Sequence, residues 1–394
     1  MSMLSLAYFS PLPPARTGIA DYSRELLPFL ARRARVTLFT DAPPTDDVRS
    51  LAQYPLADYG FRRWGYDAAL FQMGNSEHHA PMVRVFRRYP GILVLHDAVL
   101  HHFLADQTAG RGNFPAYARE LGYEMGNAGI HLARDIQYQR QPHPLFAMPL
   151  TRRLLDLSLG ILVHSQYAAT RVRAHTNHPV GIIPALIDIH PGQPRREQLG
   201  MPAHTLLLGS FGQITAARQM DVTLAAFARL RQTHPHAHYL IVGDVHPEVD
   251  LPGLIAAHDL AAHVTHLGYV PNLAAFVDWI GSVDVVINLR YPTAGETSAT
   301  ALRALAAARP LIVSDDGWYA ELPDTIVLKM PPRRDPDALL PLLRHLADHP
   351  DRQRAMGEAA RAYVAVHHQG GAVADAYVAF VARVLRQLHE AAHA

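Results

Sequence analysis

The sequence predicts an α/β fold of two doubly wound domains, each a Rossmann-like parallel sheet with helices on both faces. Short apolar runs rich in Ile, Leu and Val alternate with segments whose apolar residues recur every three or four positions, which is typical of buried strands and amphipathic helices. The alternation continues along the chain, with one Pro- and Gly-rich interruption near the middle. Because strand–helix alternation favours parallel sheets, we expect two such domains facing a cleft.

The composition is that of a globular protein. The chain has 394 residues, of which 49% are hydrophobic and 18% are charged, and at roughly 150 residues per domain this length predicts two to three domains. No stretch reaches the roughly 18 apolar residues of a membrane span, and the apolar start, Met1–Phe9, lacks the basic segment and cleavage site of a signal peptide. The absence of cysteine excludes disulfides and thiolate chemistry. We therefore expect a cytoplasmic protein.

Charge is distributed unevenly along the chain. The net charge is +1, which gives no strong attraction to nucleic acid. The first 185 residues carry 19 arginines and 14 acidic residues, a net charge of +5, so the remainder carries −4. A basic first half favours an anionic acceptor or peripheral contact with a membrane surface, although an ordinary solvated surface has the same composition. Lys329 is the only lysine, so a phosphate site must depend on arginine and backbone N–H groups.

The first domain is expected within residues 1–187. Its predicted strands are Leu4–Phe9, Val36–Thr40, Ala68–Gln72, Ile92–His96, Ile161–His164 and Val180–Pro184, with helical patterns between them.

The second domain is expected within residues 188–371, after a linker-like stretch, Asp188–Pro202, that includes Pro191. Its predicted strands are Leu206–Phe211, Tyr239–Val242, Val264–Leu267, Val285–Leu289, Leu311–Ser314 and Ile326–Lys329. Its predicted helices are Val222–Gln232, Leu273–Ile280, Ser298–Ala308, Asp337–Leu346 and Arg352–Val366. A last amphipathic helix, within residues 372–394, is expected to pack back on the first domain.

Ligands of open parallel sheets bind beyond the carboxyl ends of the strands, so the loops after strands are the candidate sites. In the first such loop, Ser10–Asp21, Gly18 allows close approach of a ligand to a helix start, beside the charge of Arg16. The alternative is a Pro-rich connection before an ordinary helix. At the end of another strand, His96 is a candidate ligand for a hydroxyl group or a proton mediator, whereas His101 and His102 are more typical of structural or exposed histidines.

The second domain opens with a glycine-containing strand end. Gly212 closes the run Leu206–Gln213, and Arg218 follows near the start of the next predicted helix. From there its guanidinium can reach a diphosphate, with two donors in a fixed plane. The run is not G-x-G-x-x-G, which disfavours a dinucleotide-binding domain of the NAD type.

The most informative loop follows the strand Val285–Leu289 and ends at Thr300. Gly295, Thr297 and Ser298 open a predicted helix, and a helix start beyond a glycine is an anion site by geometry and dipole. Glu296 can accept hydrogen bonds from a hydroxylated ligand; alternatively, it is a capping partner of an ordinary helix start. After the next strand, Asp315, Asp316 or Glu321 is a candidate contact to a base or ribose, or Glu321 begins a short helix.

Several runs resemble the retaining glycosyltransferases of family four, which have the GT-B fold, and the resemblance covers most of the chain. They are Leu289–Leu305 with the following Ala306–Asp315, the strand run Tyr239–Asp244, the glycine loop at Thr17–Ile19, and His164–Ser165 before the linker. The resemblance implies transfer of a sugar, with retention, from a nucleoside diphosphate-sugar to a glycan, lipid or small-molecule acceptor. It implies no required metal or cofactor.

The resemblance also implies roles for residues at matching positions. Glu296 and His96 would contact the transferred sugar, and Gly18 would lie where the two domains meet. The expected residues for binding the donor and its phosphates are Arg218, Gly212, Gly295, Thr297, Ser298 and Gly18. Arg303 stands where the family has its second glutamate and, with Glu321, is a weaker candidate for nucleotide contact. Gln213 and Arg218 stand where the family has Arg and Lys. Two alternatives stay open: a nucleotide-sugar epimerase of the same fold, and a nucleotide-sugar-binding protein without activity.

Overall fold

A computed structural model describes residues 3–43, 48–189, 192–202 and 204–393. The chain forms two compact units. The first unit comprises Met1–Leu186, Ala294–Thr297 and Gly370–Ala394, and the second comprises Ile187–Thr293 and Ser298–Gln369. Met1, Pro191 and Ala394, which are named above, lie outside the described residues.

The first unit contains a seven-stranded parallel sheet in the order β3-β2-β1-β4-β5-β6-β7. The strands are β1 (Ser5–Phe9), β2 (Arg35–Phe39), β3 (Ala52–Tyr54), β4 (Ala68–Met73), β5 (Ile92–Leu95), β6 (Gly160–Val163) and β7 (Val180–Ile182). The six predicted strands are confirmed. The sequence did not predict β3, because this three-residue, partly exposed edge strand is too short to form an apolar run.

Eight helices surround this sheet in the described part of residues 3–189. They are α1 (Gly18–Leu30), α2 (Tyr59–Arg62), α3 (Ala80–Arg88), α4 (His101–Gln107), α5 (Phe114–Met125), α6 (Asn127–Gln137), α7 (Arg152–Leu157) and α8 (Gln166–Arg173). The core packs stacked aromatic rings from adjacent strands, since the centroid of Phe9 lies 4.1 Å from that of Phe71 and 5.2 Å from that of Phe39.

The second unit contains a six-stranded parallel sheet in the order β10-β9-β8-β11-β12-β13. Its strands are β8 (Leu207–Phe211), β9 (His238–Val242), β10 (Val264–His266), β11 (Val285–Asn288), β12 (Leu311–Ser314) and β13 (Val327–Met330). Its helices are α9 (Met220–Leu230), α10 (Leu251–Ala257), α11 (Leu273–Ser282), α12 (Ala299–Ala306), α13 (Pro336–Ala347) and α14 (Pro350–His367). All six predicted strands and five predicted helices are present, and no end differs from its predicted position by more than two residues.

The last helix, α15 (Gly370–His393), packs against α1 within the first unit. The hydroxyls of Tyr22 and Tyr377 are hydrogen-bonded at 2.8 Å, and Arg33 forms an ion pair with Asp375. Gly181 in β7 allows α15 to pack closely against the sheet, because a Cβ at this position would lie 2.5 Å from the Phe380 ring.

Strand order places a switch point in each sheet. From β1 the chain adds strands in one direction, and from β4 it adds them in the other; β8 and β11 have the same relation in the second unit. At such a point the connections leave in opposite directions and open a crevice at the carboxyl ends of the two strands. The loops that follow β1 and β4, and those that follow β8 and β11, are therefore where each unit can hold a ligand.

We expect Gly357→Ala to destabilise the second unit. Gly357 lies inside α14, where a Cβ would be 2.1 Å from the carbonyl oxygen of Ala308. In an open helix this change would stabilise by up to about 1 kcal/mol, but the clash with backbone should cost about 1–3 kcal/mol. Thermal unfolding measures it. The control is Gly371→Ala in α15, whose methyl would meet only the flexible end of Arg33, at 3.3 Å; equal melting temperatures for the two variants would contradict the prediction.

Candidate functional site

In the second unit, Gly212 directly follows β8 and has a φ of +89°. A Cβ at this position would lie 3.2 Å from a guanidinium nitrogen of Arg218 and 3.3 Å from the hydroxyl of Thr300. Glycine is therefore required both by the backbone conformation and by the close approach of two polar groups. The structure thus brings together Gly212, Arg218 and the start of α12, three features that the sequence predicted separately.

Arg218 is a partly buried cation with a neutral partner. Its Nη1 donates to Oδ1 of Asn288, and in the described part of the chain no carboxylate forms an ion pair with it. The pKa of the Arg218 guanidinium is lowered to about 9, mainly by burial and secondly by the charge of Arg290, while Tyr319 acts in the opposite direction. The guanidinium is still protonated at neutral pH. A desolvated positive charge beside a second arginine makes this place electrostatically suited to an anion.

Asn288 is the centre of this arrangement. It ends β11 with 1% of its surface exposed, and its Nδ2 donates to Oγ of Ser298 at 3.1 Å and to the hydroxyl of Tyr319 at 2.9 Å. Ser298 Oγ in turn accepts a hydrogen bond from the N–H of Ala301 at 3.2 Å and so caps α12. The sequence did not identify Asn288 or Tyr319 as site residues. A polar residue that ends an otherwise apolar buried strand was the available signal.

The segment before α12, Ala294–Thr297, clusters with the first unit. The carbonyl of Ala294 accepts a hydrogen bond from the N–H of Val99 at 2.9 Å. Gly295 has a φ of +80°, and a Cβ there would lie 2.6 Å from that of Ala98. Oγ1 of Thr297 is buried and has no hydrogen-bond partner in the described part of the chain. A buried hydroxyl without a hydrogen-bond partner destabilises the folded protein unless a ligand supplies the missing hydrogen bond.

The two weaker nucleotide candidates differ in exposure. Arg303 lies in the last turn of α12 and is 5% exposed. Glu321 is exposed at the end of the short 3-10 helix Gly317–Glu321, and its charge adds to the burial that raises the pKa of Tyr363. Asp316 accepts a hydrogen bond from the N–H of Gly317 at 2.8 Å and so caps that short helix. Nucleotide contact by Arg303 and Glu321 stays a prediction.

In the first unit, His96 follows β5 and belongs to a cluster of rings. Its Nε2 is 2.7 Å from Oε1 of Gln72, and its ring centroid lies 4.6 Å from that of His164 and 4.8 Å from that of Tyr22. Burial holds the pKa of His96 well below 6.5, and the neighbouring His164 and His79 lower it further. The imidazole is therefore neutral at physiological pH. Since an amide oxygen accepts from Nε2, Nδ1 is left as an acceptor for a hydroxyl group.

Gly18 begins α1, which is capped by Thr17 through a hydrogen bond from the N–H of Ala20 to Oγ1 at 3.1 Å. A Cβ at Gly18 would meet no atom within 4 Å, so this helix start borders open space. His101 is structural, as expected, because it is buried with its ring nitrogens 2.6 Å from the hydroxyl of Tyr117 and 3.1 Å from the carbonyl of Met148. His102 packs against the ring of Phe146.

Within the described ranges, no three His, Asp or Glu side chains are grouped so as to hold a metal ion. Of the helices described above, none combines the length and apolar character needed to cross a membrane.

Comparison with known proteins gives a consistent result. Residues 205–349 match the family model described as "Glycosyl transferases group 1". The chain is 26% identical over 379 residues to a GDP-mannose-dependent monoacylated alpha-(1-6)-phosphatidylinositol monomannoside mannosyltransferase of Corynebacterium glutamicum, which covers 92% of this chain and 93% of the relative.

Solved structures share the fold at low identity. The Anabaena protein Alr3699/HepE in complex with UDP-glucose has a TM-score of 0.68 at 14% identity and covers 98% of this chain and 100% of its own. A glycosyltransferase from Rickettsia africae has a TM-score of 0.68 at 12% identity and covers 98% and 99%. The predicted GT-B fold and the predicted resemblance to glycosyltransferases are therefore confirmed, and so is the expectation of an enzyme of this class.

Buried neutral histidines should make stability fall in mild acid. Burial lowers the pKa of His79 to about 3 and that of His101 to about 4. The unfolded chain takes up these protons near pH 6.5 and the folded chain does not, so their contribution is complete above pH 6.5 and is lost as the pH falls toward the folded values. We expect the melting temperature to decrease from pH 6.5 to 4.

His79→Leu should make that decrease shallower, because neither ring nitrogen of His79 makes a hydrogen bond of normal geometry in the described part of the chain. Thermal unfolding across this pH range measures the slope. Replacement of the exposed His131 by Leu is the matched control and should leave the slope unchanged. The same slope in both variants would exclude His79 as a source of the acid sensitivity.

Proposed function

We propose that this glycosyltransferase moves a sugar from a nucleoside diphosphate-sugar to an acceptor hydroxyl, with retention of configuration at the anomeric carbon. The observation that carries the donor assignment is the partly buried Arg218 cation, held by a neutral amide beside the start of α12. A diphosphate supplies the anion that suits this place. The curated relative is named as GDP-mannose-dependent, and the Anabaena structure contains UDP-glucose, which supports a nucleotide-sugar donor.

The proposed chemistry depends on charge at the leaving group. As the bond between the anomeric carbon and the diphosphate oxygen breaks, negative charge grows on that oxygen, while the acceptor oxygen forms the new bond to the anomeric carbon and its proton passes to the departing diphosphate. A cation and a helix start that are already in place stabilise this charge without reorganisation. We assign the diphosphate to Arg218, Gly212 and Ser298, together with Gly295 and Thr297. No metal or cofactor enters this proposal.

The first unit is proposed to serve the acceptor side, for a glycan, lipid or small molecule. We assign His96 to a sugar hydroxyl, which would donate to Nδ1, and Glu296 to the hydroxyls of the transferred sugar. Because the pKa of His96 is held well below 6.5, this imidazole is a weak base. It is therefore better suited to orienting a hydroxyl than to removing its proton.

Arg218→Ala should lower kcat/KM for sugar transfer by about 100- to 1000-fold, the effect expected when one charge-stabilising donor is removed from a transition state. Glu296→Ala should also lower the rate of transfer. The measurement is release of nucleoside diphosphate and formation of product with UDP-, GDP-, ADP- and TDP-sugars, after thermal-shift screening has identified the base that stabilises the fold.

The control is Arg229→Ala, since Arg229 is an exposed arginine of α9 paired with Asp337 and its loss should leave the rate unchanged. Wild-type rates in both Arg218→Ala and Glu296→Ala would contradict the site. The products also test the two alternatives: free epimerised donor with no acceptor consumed indicates an epimerase, and nucleotide affinity without turnover across many acceptors indicates a binding protein.

We further propose that the protein works in the cytoplasm, in peripheral contact with an anionic membrane. Phe61 and Trp64 are 88% and 82% exposed, on α2 and the turn after it. Arg62 and Arg63 lie between them, and the Arg63 guanidinium is 4.1 Å from the Trp64 ring centroid. Exposed aromatic rings flanked by arginines suit the boundary between lipid headgroups and acyl chains.

Trp64 gives a direct probe of this contact. The other two tryptophans, Trp279 and Trp318, are only 8% and 5% exposed, so a change of emission on membrane binding should come from Trp64. We expect a blue shift and cosedimentation with phosphatidylglycerol vesicles, both weakened by salt. The double variant Phe61→Ser, Trp64→Ser should no longer cosediment, whereas Tyr138→Ser, at a 60% exposed position, should behave as wild type. Unshifted emission at saturating vesicles would contradict the contact.

A further inference from the structure

A groove in the first unit, separate from the candidate donor site, is lined by an unusual number of arginines. It has a volume of about 380 Å³ and lies between α3, α4 and α5, with one residue from α7. Four arginines line it, Arg84, Arg87, Arg119 and Arg153, together with a single acidic residue, Glu120. The volume is that of a small-molecule site, and the lining carries a net charge of +3.

The charges in this groove are only partly compensated. Glu120 is 2.8 Å from Arg153 and 3.0 Å from Arg87, and its side chain is only 11% exposed. This carboxylate therefore holds two arginines in place along the wall. Arg84 and Arg119 form no ion pair in the described part of the chain. Two arginines without a counter-charge, beside two that are fixed, leave the groove suited to a ligand with a phosphate group, which arginine binds through paired N–H donors.

The floor of the groove is apolar. Val83, Phe103 and Leu104 line it and are 7%, 3% and 6% exposed. A ligand that fits both features has a phosphate on a short apolar or partly apolar body, because the phosphate can meet the arginines while the body covers the floor.

One end of the groove lies near the edge of the sheet where the carboxyl ends of β4 and β5 meet. Ala80, which lines the groove, is the first residue of α3 and directly follows His79. A Cβ at Gly74 would lie 3.6 Å from Nε2 of His79 and 2.7 Å from a carboxylate oxygen of Asp97, the residue after His96, so His79 lies beside the loop that carries His96. At the same edge, the N–H of Asn75 donates to Asp97 at 2.8 Å, and Asn75 Oδ1 accepts from the N–H of Phe103 at 3.2 Å. These bonds connect the loop after β4 to the loop after β5 and to α4.

We propose that this groove binds the phosphate-bearing part of the acceptor, with the acceptor hydroxyl directed toward the end near His96. That this ligand is an acceptor depends on the proposed sugar transfer. Binding of a phosphorylated ligand to the groove can nevertheless be measured without any transfer. The shared chemistry is a phosphate monoester or diester, either on a free small molecule or on a lipid headgroup.

The test is calorimetric titration with two probes, sn-glycerol 3-phosphate and dihexanoyl phosphatidic acid below its micelle concentration. The double variant Arg84→Ala, Arg119→Ala should weaken binding of the phosphate probe by about tenfold or more, since both changes remove a charged contact. The matched control is Arg111→Ala, Arg134→Ala, which removes two exposed arginines of the same unit outside the groove and should bind as wild type. Tighter binding of the lipid than of glycerol phosphate would show that the apolar floor contributes; equal binding would indicate a free phosphorylated acceptor.

Two results would overturn the proposal. One is wild-type affinity for both probes in the Arg84→Ala, Arg119→Ala variant. The other is loss of probe binding in Arg218→Ala, which would place the phosphate in the donor site. Nucleoside diphosphate binding separates this test from that of the proposed function: it should be retained in the groove variant and lost in Arg218→Ala, so either idea can fail while the other stands.

Discussion

The candidate donor site depends on the orientation of one buried amide. Asn288 directs its oxygen at the Arg218 guanidinium and both N–H groups at neutral hydroxyls, those of Ser298 and Tyr319. With every polar atom engaged, the amide cannot be reversed without placing N–H groups against a cation. Because the partner is an amide and not a carboxylate, the charge of Arg218 is oriented but not neutralised. An aspartate at this position would compensate the charge internally and remove the attraction for an external anion.

The two units create opposite electrostatic conditions. In the second unit, Arg218 stays protonated although burial lowers its pKa to about 9, because an arginine begins so far above neutrality. In the first unit, burial of a similar kind acts on His96 and His79, whose ordinary pKa lies near neutrality, and leaves both uncharged. Desolvation thus preserves a cation where a diphosphate is proposed and removes cations where hydroxyl groups are proposed. Whether a buried basic side chain keeps its charge at neutral pH therefore depends on whether it is an arginine or a histidine.

Much of this fold can be predicted from local sequence patterns, whereas much of the site cannot. Buried parallel strands such as β8 and β11 are apolar runs, so the sequence predicted them and the loops that follow them, including Gly212 and Arg218. The short edge strand β3 has no such run and was missed. Asn288 and Tyr319 were missed as site residues because their role depends on a hydrogen bond between residues 31 positions apart in the chain. The arginine-lined groove could not be predicted either, since its walls come from helices that only the tertiary structure brings together.

The uneven charge of the sequence takes on a physical meaning once the fold is known. Within the basic first half, arginines from α2, α3, α5 and α7 are placed on two surfaces, one with exposed aromatic rings and one with a recessed apolar floor. Arginines spread over a surface mainly add solubility, whereas arginines gathered around apolar area select ligands that are anionic at one end and apolar at the other. Both surfaces therefore favour the same chemical class, an anionic amphiphile. A nucleotide-sugar is anionic but carries no apolar body, so the cations of the first unit and Arg218 of the second are suited to different substrates.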